Sequence, residues 1–166
     1  GDKSNRGTMQ LGMNKTYVIA ELSANHNNDF ELAKDTIAAM AASGADAVKV
    51  QTYQAKSLTL DLNTGFFAEK DSGLWRGYTP WDLFTEAAMP YEWQPKLKEV
   101  AEAAGLEFFS SPFDLEAVDF LESMKVCRYK IASPEINDLP LIRRVAETGK
   151  PIIMSTGLAS EQDIEL

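Results

Sequence analysis

"YKIASPE", residues 129–135, sets Lys130 between Tyr129 and Ile131 in a stretch that otherwise reads as a buried strand, and follows it at once with Ser133, Pro134 and Glu135. A lysine in such a place costs desolvation free energy unless it meets an anion or gives up its proton. The stretch therefore poses two questions together: which fold buries this strand, and what the lysine faces.

Working outward, five apolar β-rich runs recur: Tyr17 to Leu22, Ala47 to Gln51, Leu106 to Ser110, Cys127 to Ile131 and Pro151 to Ser155. Amphipathic stretches separate them. Ala33, Ile37, Met40 and Ala41 fall at helical spacing, as do Leu97, Val100, Ala101 and Ala104, then Ala117, Phe120, Leu121 and Met124, and a fourth helix is expected over Leu141 to Thr148. Gly44, Gly105 and Gly149 stand where helices stop. Strand and helix alternating with short connections give an α/β fold with a parallel sheet wound by right-handed crossovers.

One connection is far longer. Thr52 to Pro90 exceeds an ordinary strand-to-helix loop and holds Phe66, Phe67, Trp75, Tyr78, Trp81 and Phe84. Long structured loops are usually functional. These aromatics either pack the loop onto the sheet or equip it as a lid.

A complete (βα)8 barrel takes roughly 250 residues. With five strands in 166 residues, the sequence is expected to hold about the first five βα units of such a barrel. Residues 1–15, polar and glycine-bearing, read as a flexible lead-in, and 16–166 as the barrel portion.

The net charge of −9 argues against a nucleic-acid footprint, which requires a basic face. No run approaches the ~20 apolar residues of a membrane span. The lone Cys127 excludes an internal disulfide and fits a reducing compartment, the cytoplasm by default.

Ligands of parallel α/β folds sit at the carboxyl ends of the strands. Each run here carries polar residues near that end: Glu21 and "SANHN", then Lys49 and Gln51, Ser110 and Ser111, Lys130 with Ser133 and Glu135, and Ser155 with Thr156. Strand alternation aims Lys49 and Lys130 into a barrel interior or mouth. Two lysines with flanking hydroxyls suit a phosphate; alternatively each lysine is a salt-bridge partner of Glu21 or Glu135. His26, between Asn25 and Asn27, reads as a local hydrogen-bonding residue, and "TGLAS" (156–160) as a weak anion-holding helix start.

"IAELSANHN", "DAVKVQTY", "FFSSPFD", "YKIASPEINDLPLI" and "PIIMSTG" together resemble the sialic acid synthase family, from about Tyr17 to the C-terminus. "ELSANHN" with "GLWRGYTPWDLFTEAAMPYEW" is most similar to its pseudaminic acid branch rather than the N-acetylneuraminate or legionaminate branches. The resemblance implies condensation of phosphoenolpyruvate with an amino-sugar aldehyde to give a nonulosonic acid, on a (βα)8 barrel followed by an antifreeze-like domain, in a homodimer. It makes Lys49, Ser111, Lys130, Ser133 and Ser155 the phosphoenolpyruvate binders and sets Glu21 and Glu135 against the reacting carbons. Asn25, Gln51 and Tyr53 are then the residues for the sugar. It also implies a divalent metal, Mn or Mg, whose two histidine ligands come from later strands, so that no metal ligand is expected in this chain.

On that resemblance Lys130 is buried because an anion is its partner, and Pro134 ends the strand so that Ser133 and Glu135 turn into the same pocket. Two other functions fit the residues: a Schiff-base aldolase with Lys130 as nucleophile, and a non-catalytic half-barrel that binds an anion or serves assembly.

Overall fold

A computed structural model describes residues 15–157 and 159–164. All but the last residue of the expected lead-in lies outside them. Five strands, β1 (Ile19–Glu21), β2 (Ala47–Thr52), β3 (Glu107–Pro112), β4 (Tyr129–Ile131) and β5 (Ile152–Met154), form one parallel sheet whose spatial order is the chain order. The helices are α1 (Phe30–Ala42), α2 (Ala55–Leu58), α3 (Pro80–Ala87), α4 (Gln94–Ala103), α5 (Leu115–Ser123), α6 (Leu139–Glu147) and α7 (Glu161–Ile164). A strand followed by a helix, repeated along a sheet in sequential order, is the arrangement of a curling (βα)-barrel wall.

The helices begin where the sequence supplies caps. Asp29 accepts the Leu32 N–H at 3.1 Å, Asp114 the Ala117 N–H at 2.7 Å and Asp138 the Leu141 N–H at 3.1 Å. Thr79 and Asp82 form a reciprocal box around Pro80 at the head of α3. The first helix stops at Gly44 with φ of +89°, a conformation that glycine adopts without strain. The end of α5 has no glycine; Lys125 takes φ of +57° in that role.

Alternation divides the sheet into two layers. Leu22, Val48, Val50, Phe108, Tyr129 and Ile131 pack against Ile37, Leu97, Val118, Leu121, Leu141 and Val145 of the helices in one core cluster. The opposite face carries Glu21, Lys49, Gln51, Ser111 and Lys130.

The strand limits all differ from expectation: β2 runs on by one residue to Thr52, β5 lacks Pro151 and Ser155, and the other three differ as follows. The first strand is Ile19–Glu21 only, with Tyr17 and Val18 45% and 46% exposed; β1 pairs on one side, with β2, and the Val18 N–H donates to the Asp46 side chain instead of extending the ladder. The third runs on to Pro112 and takes in Ser111. The fourth starts at Tyr129, so Cys127 is not in an apolar strand; it is exposed, and its thiol donates to the Glu107 carboxylate, which Arg128 also holds at 2.6 Å.

The long connection carries its own structure: α2, a 3-10 turn at Gly65–Phe67, a bridge between Lys70 and Arg76, and α3. Its aromatics divide. Phe84 stands edge-on to Tyr53 at 6.4 Å, whereas Phe66 is wholly exposed and Trp75 and Tyr78, half-exposed, pack on one another. Packing onto the sheet accounts for part of the set. Among the described residues no helix is long and apolar enough to cross a membrane.

Candidate anion site at the carboxyl ends of the strands

Glu21 of β1 and Lys49 of β2 are direct register partners, and their side chains form an ion pair at 3.1 Å. Lys49 is buried, while the Glu21 side chain is about half exposed. The salt-bridge alternative thus holds for Lys49. It does not hold for Lys130, whose ammonium donates to the Ser155 hydroxyl rather than to Glu135.

Lys130 is half-buried, not sealed in the interior as the sequence suggests, because β4 has the short β5 as its outer neighbour. Its pKa is lowered, first by burial and then by the Lys49 charge, against a smaller upward pull from Glu21. The three groups therefore share one electrostatic environment although β3 separates their strands. Two cations with a single carboxylate between them leave an excess of positive charge on this face, the condition an anion relieves.

Between the lysines, Ser111 of β3 is buried with its hydroxyl unpartnered. A buried hydroxyl without a partner is costly, and one aimed beside two lysines is a donor in wait of an acceptor. Past β4 the chain makes a 3-10 turn over Ser133–Glu135 containing Pro134, which bends the backbone as expected. A Cβ built on Gly157 would lie 3.5 Å from the Ser133 hydroxyl, so the loop after β5 runs beside that serine at ordinary contact distance. Glu135 is partly buried with one carboxylate oxygen lacking any partner, and burial, then the Asp138 charge, raises its pKa.

The sugar-assigned residues do not gather into one pocket. Gln51 lies on the lysine face, in register with Ser111. Asn25 is exposed, its N–H donating to the Leu22 carbonyl at 3.1 Å. Tyr53 is buried against Phe84 and Phe113 and lines a separate cleft of about 430 Å³ with Asn28, Trp81, Met89 and Tyr91. Sequence reading passed over Trp81, Met89 and Tyr91 as cleft residues; their spacing across α3 and the turn into α4 carries no sign of it.

His26 is buried edge-on to Trp93 at 5.6 Å, with its Nδ1 accepting the Asn28 N–H, which is the local bonding role expected of it. Among the described residues no group of three His, Cys, Asp or Glu side chains could hold a metal ion. The side chains described do not fit the divalent metal that the resemblance implies. The segment "TGLAS" lies partly outside the described residues, and the helix after it, α7, spans only Glu161–Ile164.

Comparison with known proteins bears on the family and the fold. The model of the NeuB family matches residues 36–166. The chain is 43% identical over 160 residues to a pseudaminic acid synthase of Campylobacter jejuni, covering 94% of the chain and 46% of that protein. It is 35% identical over 150 residues to the N,N'-diacetyllegionaminic acid synthase of Legionella pneumophila, covering 90% and 42%. The crystal structure of an N-acetylneuraminic acid synthetase from Leptospira borgpetersenii, in complex with citrate, superposes with a TM-score of 0.76 at 28% identity, over 90% of this chain and 47% of that one. The chain spans about half the length of the curated relatives it matches. With a half-barrel of sequential parallel strands and a family match over most of its length, this chain belongs to the NeuB family.

Proposed function

We propose that the protein, from its full reading frame, condenses phosphoenolpyruvate with an amino-sugar aldehyde, and that the product is pseudaminic acid. The observation that carries the reading is the lysine face: Lys49 and Lys130 flank an unpartnered Ser111, and the single half-exposed carboxylate, Glu21, pairs with Lys49 only. Point charges with hydroxyl donors suit a phosphate and a carboxylate on one small molecule. The preference for pseudaminic acid rests on the higher identity to the Campylobacter enzyme, 43% against 35% for the legionaminic acid synthase.

In this reading Lys49, Lys130, Ser111, Ser133 and Ser155 hold the phosphoenolpyruvate. Its C3 attacks the aldehyde carbon, the aldehyde oxygen gains a proton, water adds at C2, and phosphate leaves. Glu21 is committed to Lys49. Glu135 has a free carboxylate oxygen and a raised pKa, the properties of a base that takes the proton of the adding water. Desolvation strengthens each of these contacts where water is excluded. A homodimer is part of the proposal, checked by the mass of the full-length protein in solution.

The experiment is phosphate release from phosphoenolpyruvate with a 2,4-diacetamido-trideoxy hexose and, separately, with N-acetylmannosamine. Faster turnover of the diacetamido sugar is expected. Faster turnover of N-acetylmannosamine would move the assignment to neuraminate synthesis. The lowered pKa of Lys130 favours one second reading, a Schiff-base aldolase; borohydride trapping of a carbonyl substrate on Lys130 would establish it in place of the condensation.

A further inference from the structure

Directly behind the lysine face, three polar side chains are sealed in the helix-facing layer. Thr52, Ser110 and Gln94 are all fully buried. The Thr52 hydroxyl donates to Gln94 Oε1 at 3.0 Å and lies 2.6 Å from the Ser110 hydroxyl, which donates to the Val50 carbonyl at 3.1 Å. Their neighbours in the layer are Val48, Val50, Leu97 and Phe108.

Stability alone does not explain this trio. Replacing every partner of a buried polar group by apolar groups of similar shape is commonly neutral or stabilising. This network is even incomplete, since the Gln94 Nε2 is buried without an acceptor. What the trio does supply is geometry. Ser110 is the register partner of Val50 and Ser111 that of Gln51, so the Thr52 to Ser110 contact crosses diagonally between β2 and β3 and exists in one register only. A one-residue slip of β3 sends Ser111 into the apolar layer, and one of β2 sends Gln51 there. Gln94, the first residue of α4, extends the tie to the helix that follows the long connection.

We propose that Thr52, Ser110 and Gln94 are positioning residues: from the back of the sheet they fix the height and orientation at which Ser111 meets the ligand anion and Gln51 stands beside it. The inference rests on the reading that this face binds phosphoenolpyruvate. The bonds that are made, Thr52 to Gln94 and Ser110 to the Val50 carbonyl, tie β2, β3 and α4 to one packing where an apolar layer allows several.

The test uses the full-length protein with Thr52→Val, Ser110→Ala and Gln94→Met combined, and Thr52→Ser as the conservative control. Thermal unfolding, calorimetric titration with phosphoenolpyruvate, and hydrogen exchange at the β2 and β3 amides are measured on each. The combined variant is expected to keep or raise its Tm, to bind phosphoenolpyruvate at least tenfold more weakly, and to exchange the Gln51 and Ser111 amides faster; Thr52→Ser stays near the parent. An unchanged affinity and exchange rate, whatever happens to Tm, overturns the inference. Absence of binding by the unmutated protein sinks the function proposed above, and hydrogen exchange then still decides whether the trio positions the two residues.

Discussion

Burial acts on Lys130 and Glu135 with opposite sign, lowering the first and raising the second, because in both it disfavours the charged form. For Lys130 the folded protein gives up its proton below the ordinary 10.5. The cost of holding it charged is thus present at neutral pH, and it is relieved as pH rises from the lowered pKa toward 10.5. Anion affinity runs the other way: titration with phosphoenolpyruvate across pH is expected to weaken through that window, earlier than an ordinary lysine would give. For Glu135, proton abstraction is lost as pH falls through a pKa above 4.5, so the acid limb of kcat should shift down in Glu135→Gln or vanish with the activity. Lys130→Ala is expected to lower kcat/KM for phosphoenolpyruvate by about a hundredfold or more, since stranding one partner of a buried charge pair costs ~3 kcal/mol or more. Its Tm should hold or rise, because Ser155 is a neutral partner. A destabilised variant with normal kinetics would end the anion reading for this residue. Lys49→Ala differs in that it also unpairs the half-exposed Glu21, an effect on stability of at most about 1 kcal/mol by thermal unfolding. Which lysine takes Glu21 was not legible in the sequence, where both carboxylates stood open as partners; register decided it, by setting Glu21 directly against Lys49.

At the scale of elements, the middle of each strand and helix followed from periodicity, and the ends did not. Helix faces read correctly because Ala33, Ile37, Leu97, Ala101, Ala117 and Leu121 repeat at a spacing that only one buried stripe explains. Strand ends depend on pairing partners that composition does not name, so Val18 drops out of β1 while Ser111 and Pro112 join β3. Cys127 read as apolar strand, but Glu107 draws its thiol out at the strand's start. The end of α5 yields a prediction: Lys125 holds a left-handed backbone at φ of +57°, and such strain costs a side chain ~1 kcal/mol that glycine avoids. Lys125→Gly should raise the unfolding free energy by about that amount in denaturant titration. At the other kind of terminus, Asp29→Ala removes the cap on Leu32 and should cost ~1 kcal/mol in the same titration.

For the whole molecule, sequential strand order and the concentration of polar residues at one end of the sheet were both legible, since alternating strand and helix leave few topologies open. The grouping of Tyr53 with Trp81 and Met89 in a cleft that neither Lys49 nor Lys130 lines was not, because it depends on how the long connection folds back. The described sheet pairs β1 and β5 on one side each, and Tyr17, Val18 and Met154 near those edges are 41% to 46% exposed. Open edges of this kind template self-association, so the apparent molar mass of the 166-residue polypeptide from light scattering should rise with concentration. That the lysine face is an anion site is tested most directly by calorimetric titration of the full-length protein with phosphoenolpyruvate. Saturable binding at one molecule per chain, abolished in the Lys49→Ala, Lys130→Ala double variant while its fold persists by circular dichroism, is the expected result; no binding by the unmutated protein, or equal binding by the double variant, would contradict it.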